Sequence, residues 1–261
     1  MLAYTERGSG PRAVVALHGF LGSGRNLASL ARRWIERDAG RRIVLPDLTG
    51  HGASPPLPPG ADLETLGRDV LALARYLGLG EPFELVGHSL GGRVALVVRQ
   101  VAPEAVARVT LLDIAPGPIP VTAGSVEGVI GALLAAPAEM AGRGEMREFL
   151  LARGLTTALV EWLILNLEPR AGGRVGWRID RQALAGLNER TRGIDLWSLV
   201  EGHGAATRCI RGGRSGFVTD GDVGRLESAG VEVTTLEGAG HFVHVEAMEG
   251  LLEAVAGEGQ P

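Results

Sequence analysis

The sequence predicts an α/β protein with a mostly parallel central sheet flanked by helices. Three observations carry this. Short apolar runs, β-branched or Leu-rich and ending in Gly, Pro, Asp or His, alternate with longer amphipathic stretches, the pattern of strands buried on both faces and connected by helices. The chain has 261 residues, 45% hydrophobic and 21% charged, enough for one sizeable core and unlike a disordered chain. From Ala115 to about Ala206 there is no convincing strand, only helical patterns, so the middle reads as a helical insertion in a sheet protein.

In chain order, Tyr4–Arg7 is an edge-strand candidate, and buried strands are expected at Ala13–Leu17, Arg42–Pro46, Phe83–Gly87, Val106–Leu112, Thr207–Arg211 and Val231–Leu236. Leu63–Leu77 carries apolar residues at Leu63, Leu66, Val70, Leu73, Ala74 and Leu77, one face of a helix. Gly92–Val101 repeats the pattern and stops before Pro103. Val245–Val255 is a further helix candidate. The insertion opens on Pro116–Pro120, a stiff connection, with helical runs near Val126–Ala135, Glu145–Arg153, Thr156–Asn166 and Arg181–Arg190. Pro55–Gly60 reads as a loop. The expected organisation is residues 1–115 and 207–261 as two parts of one core, with 116–206 between them.

Composition excludes several chemistries. All 26 basic residues are arginine, so a Schiff-base or cofactor-anchoring lysine, a Walker-A lysine and a Ser-Lys dyad are absent. A net charge of -4 gives no basic footprint for nucleic acid. Cys209 stands alone, so no internal disulfide or cysteine-based metal cluster forms. The start of the sequence lacks a basic region followed by an apolar stretch, and no apolar run reaches the ~18 residues of a membrane span. The expectation is a soluble cytoplasmic protein, monomer or homodimer.

The sharpest motif is Gly87-His88-Ser89-Leu90-Gly91, a G-x-S-x-G pattern with a strand before it and a helix after it. Such a turn lifts the Ser89 hydroxyl to the head of the sheet and sets the Leu90 amide at a helix N-terminus, where an oxyanion can form. The glycines keep Cβ atoms out of the close approach. A second oxyanion donor is expected in the loop after an early strand, His18-Gly19-Phe20-Leu21-Gly22, and the Phe20 amide is the candidate, with the His18 side chain structural. Of six histidines, His241, glycine-flanked after the last strand, can reach back over Ser89 as a base; His244 is its rival and is expected to pack or cap. The acid is expected at Asp113, at the end of Val106–Leu112, where a carboxylate needs a partner such as His241. Ser215 occupies the other common acid position, with Asp220 and Asp222 several residues beyond it.

Together these motifs, with Pro46-Asp47-Leu48-Thr49-Gly50-His51-Gly52-Ala53-Ser54, Asp113-Ile114-Ala115-Pro116, Arg211-Gly212-Gly213-Arg214-Ser215 and Gly238-Ala239-Gly240-His241-Phe242-Val243-His244, resemble the α/β-hydrolase superfamily. The likeness is nearest to YbfF-type esterases and their animal mitochondrial relatives. The resemblance implies an α/β-hydrolase fold with a helical lid inserted after strand six. It also implies esterase or thioesterase activity on a small-molecule acyl ester, with Ser89 as nucleophile, His241 as base and Asp113 as acid. No metal or organic cofactor is expected. Phe149, Trp162, Trp177 and Trp197 are candidates to line an acyl pocket. The same serine–histidine pair also occurs in lyases such as the SHCHC synthase of menaquinone biosynthesis, and the fold also serves as a non-hydrolytic small-molecule receptor or scaffold.

Overall fold

A computed structural model describes residues 1–80, 82–119 and 126–256. In chain order it contains β1 (Tyr4–Arg7), β2 (Arg12–Leu17), α1 (Ala28–Arg37), β3 (Arg41–Pro46), α2 (Leu63–Tyr76), β4 (Phe83–His88), α3 (Leu90–Val101) and β5 (Val106–Leu112). The inserted segment follows with α4 (Val126–Ala135), β6 (Glu139–Met140), α5 (Arg143–Leu151), α6 (Thr157–Ile164), β7 (Leu167–Pro169), β8 (Val175–Trp177) and α7 (Arg181–Thr191). The chain closes with β9 (Thr207–Gly212), α8 (Asp220–Ser228), β10 (Glu232–Leu236), α9 (Val243–Glu246) and α10 (Met248–Ala256).

Seven strands make one sheet in the order β1-β3-β2-β4-β5-β9-β10, parallel except for the β1 edge. Successive side chains of β2 go to opposite faces: Val15 and Leu17 join the core under α2 and α3, and Val14 and Ala16 join that under α1 and α10. Both faces are therefore dry, which is why these strands read as continuous apolar runs. Each fully buried Leu, Val or Ile contributes about 1.5–3 kcal/mol of transfer free energy. The α2 helix starts where Asp62 accepts a hydrogen bond from the Thr65 amide at 2.8 Å.

Three expectations are corrected. The inserted segment holds a small antiparallel sheet, β6-β8-β7, of two- and three-residue strands too short to leave an alternation in the sequence. The C-terminal helix is two, α9 and α10, separated at Ala247, whose non-helical backbone (φ -141°, ψ 49°) breaks the helix without a glycine or proline. The strand ending before Asp113 is the fifth in the chain rather than the sixth. Pro120 of the expected stiff connection, and residues 257–261 of the expected second core part, lie outside the described residues. Among the described residues no helix is long and apolar enough to cross a membrane.

Candidate active site

The segments that follow β2, β4, β9 and β10 line one cavity. β4 passes into α3 through Ser89 alone, whose backbone sits at φ 52°, ψ -115°, a conformation L residues rarely adopt. The neighbours enforce it. A Cβ on Gly87 would lie 2.3 Å from the Gly91 backbone, and one on Gly91 would lie 2.4 Å from the Leu17 carbonyl oxygen. Only glycines let α3 approach the strands this closely. The Leu90 N–H at the start of α3 and the Phe20 N–H after β2 donate to no backbone group among the described residues, so both are free for an acceptor in the cavity.

Asp113, immediately after β5, also has a left-handed backbone (φ 50°) and is fully buried. Three donors meet its carboxylate: the Gly212 amide at 2.8 Å, the Ser215 hydroxyl, and Nδ1 of His241 at 2.7 Å. These bonds offset the desolvation of a buried carboxylate. With Nδ1 facing Asp113, the neutral ring leaves Nε2 as its acceptor. The ring stacks on Phe217, centroids 3.8 Å apart and 18° from parallel. The His241 carbonyl accepts from His88 Nε2 at 2.9 Å, and Glu246 accepts from the Gly240 and Phe242 amides at 2.9 and 3.3 Å. The histidine loop is thus held at both its backbone and its ring. No hydrogen bond joins Ser89 to the His241 ring among the described residues; the two share the cavity wall.

That cavity has a volume of about 290 Å³ and is walled in part by apolar side chains of the inserted segment, among them Val129, Leu159 and Leu163. Of the four aromatic candidates, Trp162 lines it and the other three do not. Phe149 stacks under the Arg153 guanidinium, 3.4 Å from the ring centroid. Trp177 is buried within the insertion and donates to the Pro137 carbonyl at 3.0 Å. Trp197 is buried beneath Arg225, 4.1 Å over its ring. All three are packing residues, which composition alone does not separate from pocket residues.

The remaining histidines have structural surroundings. His18 bonds the Gly19 carbonyl through Nδ1 and accepts from the Leu48 amide through Nε2, which fixes a neutral ring, and burial pushes its pKa down to about 4. Burial likewise takes His51 to about 3 and His244 to about 3, and holds His88 well below the ordinary value. His244 is buried, neither ring nitrogen has a partner among the described residues, and it packs against His88 with centroids 4.7 Å apart. His203 is exposed. Asp220 pairs with Arg211 at 2.8 Å, and Asp222 accepts from the Thr219 amide at 2.9 Å, so both serve the start of α8. Among the described residues no group of three His, Cys, Asp or Glu side chains could hold a metal ion. Nothing in the sequence points to Phe217, to the His88 bond or to Glu246; Ser215 stands out there as a departure, but its bond to Asp113 does not.

Comparison with known proteins bears on the fold and the family. Residues 12–153 match the family model described as alpha/beta hydrolase fold. The chain is 32% identical over 253 residues to the sn-1-specific diacylglycerol lipase ABHD11 of Mus musculus, covering 93% of this chain and 79% of the relative. It is 31% identical over 267 residues to an esterase of Mycobacterium tuberculosis, covering 96% and 83%. The solved structure of a marine microorganism esterase superposes with a TM-score of 0.83 at 26% identity, covering 96% of each chain. With a strand–serine–helix elbow at the head of a parallel sheet and relatives named esterase or lipase along most of its length, the chain belongs to the α/β-hydrolase fold family, among its esterase- and lipase-type enzymes.

Proposed function

We propose that the chain hydrolyses small carboxylic esters or thioesters through an acyl-enzyme on Ser89, with His241 as general base, Asp113 as acid, and the Phe20 and Leu90 amides as oxyanion donors. The observation that carries this is the Asp113–His241 hydrogen bond of 2.7 Å, made beside a cavity that Ser89 also lines. The Ser89 hydroxyl attacks the acyl carbonyl as His241 Nε2 takes its proton. Asp113 holds the ring in the required tautomer and stabilises the imidazolium. The two amides receive the developing oxyanion. His241 then protonates the departing alcohol or thiol, and water repeats the sequence to release the acid. Residues 116–206 serve as the lid, and its apolar lining favours the acyl chain over a charged group. The order and identity of the motifs support placing the chain in the YbfF-type branch. The relative from mouse, named as a lipase, supports an apolar acyl group.

Ser89→Ala should abolish turnover of p-nitrophenyl butyrate and labelling by a fluorophosphonate, with an unchanged circular dichroism spectrum. Wild-type rates retained in that variant would remove Ser89 as nucleophile. Labelling of the wild type without any ester turnover would overturn hydrolysis in favour of a lyase that uses the same pair.

A further inference from the structure

The inserted segment does more than enclose the cavity. The loop after β2 presents three consecutive carbonyls, and each is held by a side chain. The Gly19 carbonyl accepts from His18 within the core. The next two are held by the insertion: Trp162 Nε1 on α6 donates to the Phe20 carbonyl at 3.3 Å, and Asn166 Nδ2, just beyond α6, donates to the Leu21 carbonyl at 2.7 Å. Asn166 is buried, and the same amide group also reaches the Leu163 carbonyl at 3.3 Å, which fixes its orientation on the helix. Its own backbone carbonyl accepts from Arg178 at 2.8 Å, so the small sheet of the insertion steadies it from behind.

The loop these two donors grip is strained. Leu21 sits at φ 61°, a left-handed conformation that a branched side chain rarely adopts without outside support. At Gly22 the approach is so close that a Cβ would lie 2.7 Å from the Trp162 ring. A carbonyl fixes the peptide plane that follows it. The Phe20 N–H shares its plane with the Gly19 carbonyl, and the planes of the Phe20 and Leu21 carbonyls follow directly, so the two donors of the insertion hold the strained backbone on which the position of that N–H depends.

We infer that Asn166 and Trp162 are positioning residues for the oxyanion hole, so that the insertion sets the Phe20 amide and couples its own seating to the chemical step. This rests on the reading of Phe20 as an oxyanion donor. A displacement of about 1 Å in such a donor costs roughly a hundredfold in rate. A segment that only shaped the acyl pocket would act on substrate binding instead.

The test is Asn166→Leu, which keeps the branched arrangement of heavy atoms and removes the donor, with Trp162→Phe as a second variant that keeps an aromatic ring and removes its N–H. Each is assayed with p-nitrophenyl butyrate and with an alkyl trifluoromethyl ketone, whose adduct with a serine carries an oxyanion. In Asn166→Leu, kcat should fall about ten- to a hundredfold and the ketone Ki should rise by a similar factor, with KM within about twofold of wild type. Trp162→Phe should move kcat and Ki in the same directions by a smaller factor. A folded Asn166→Leu with unchanged kcat and Ki, or with a raised KM alone, overturns the inference. If Asn166→Leu does not fold, unchanged kcat and Ki in Trp162→Phe overturn it. A wild-type chain without esterase turnover overturns the proposed function and this inference with it; an active wild type beside an unaltered variant overturns this inference alone.

Discussion

Mild acid should destabilise this protein through its buried histidines. Four histidines, His18, His51, His88 and His244, are buried, and burial holds each in the neutral form, at about 4, about 3, well below the ordinary value, and about 3. In the unfolded chain each imidazole takes up a proton near pH 6.5, whereas in the folded chain it stays neutral until far lower pH. Between those values the unfolded state binds more protons, so stability falls as pH falls. Above about pH 7.5 both states are neutral and the effect vanishes. Each histidine removes a little over 1 kcal/mol per pH unit below 6.5, so the four together remove about 5 kcal/mol at pH 5.5, a large share of the roughly 5–15 kcal/mol that holds a typical domain folded. The carboxylates whose pKa values are lowered, such as Asp38, Asp62 and Glu168, begin to protonate only below this window. Urea unfolding followed by tryptophan fluorescence should show a midpoint about 1.7 M lower at pH 5.5 than at pH 7.5, for a slope near 3 kcal/mol per M. His244→Leu should flatten the dependence by about one proton without loss at pH 7.5, because neither nitrogen it removes has a partner among the described residues. A midpoint that stays constant between pH 7.5 and 5.5 would refute the reasoning.

The acid assignment predicts that Asp113→Asn lowers kcat by about 10⁴, whereas Asp220→Asn and Asp222→Asn, at the start of α8, stay within about twofold of wild type; p-nitrophenyl ester kinetics on the three purified variants decide it. The contact of Gly91 with the Leu17 carbonyl predicts that Gly91→Ala destabilises by about 1–3 kcal/mol and abolishes fluorophosphonate labelling; urea unfolding and labelling of the soluble fraction are the measurements.

The parallel strands were legible because burial on both faces forces β-branched and leucine-rich runs, and the turns after them needed Gly, Asp or His. The elbow was legible for a steric reason: Gly87 and Gly91 are the residues that such an approach of helix and strand tolerates. Asp113 was legible because a carboxylate at the end of a buried strand requires donors, although the sequence announced only one of the three it has. What stayed hidden has equally physical causes. The strands β6 to β8 are too short for periodicity, and β7 ends in Pro169. Trp162 and Trp197 are both apolar aromatic residues in the insertion; one faces the cavity and the other lies under Arg225, a difference set by tertiary packing. The anchors on the Phe20 and Leu21 carbonyls join residues far apart in the chain and use backbone acceptors, which no side-chain motif records.

The parallel pairing of β5 with β9 has a consequence for biosynthesis. These neighbours are separated by the whole inserted segment, so β5 leaves the ribosome long before its partner exists. At about 5–20 residues per second, the stretch from Leu112 to Thr207 takes roughly 5–20 s to make. Throughout that interval the nascent sheet ends on a bare, apolar edge, and the carboxylate of Asp113 lacks the Gly212 amide that later receives it. Chains stalled or truncated inside the insertion are therefore the ones that should engage chaperones or aggregate, and slow codons placed there would lengthen the exposure.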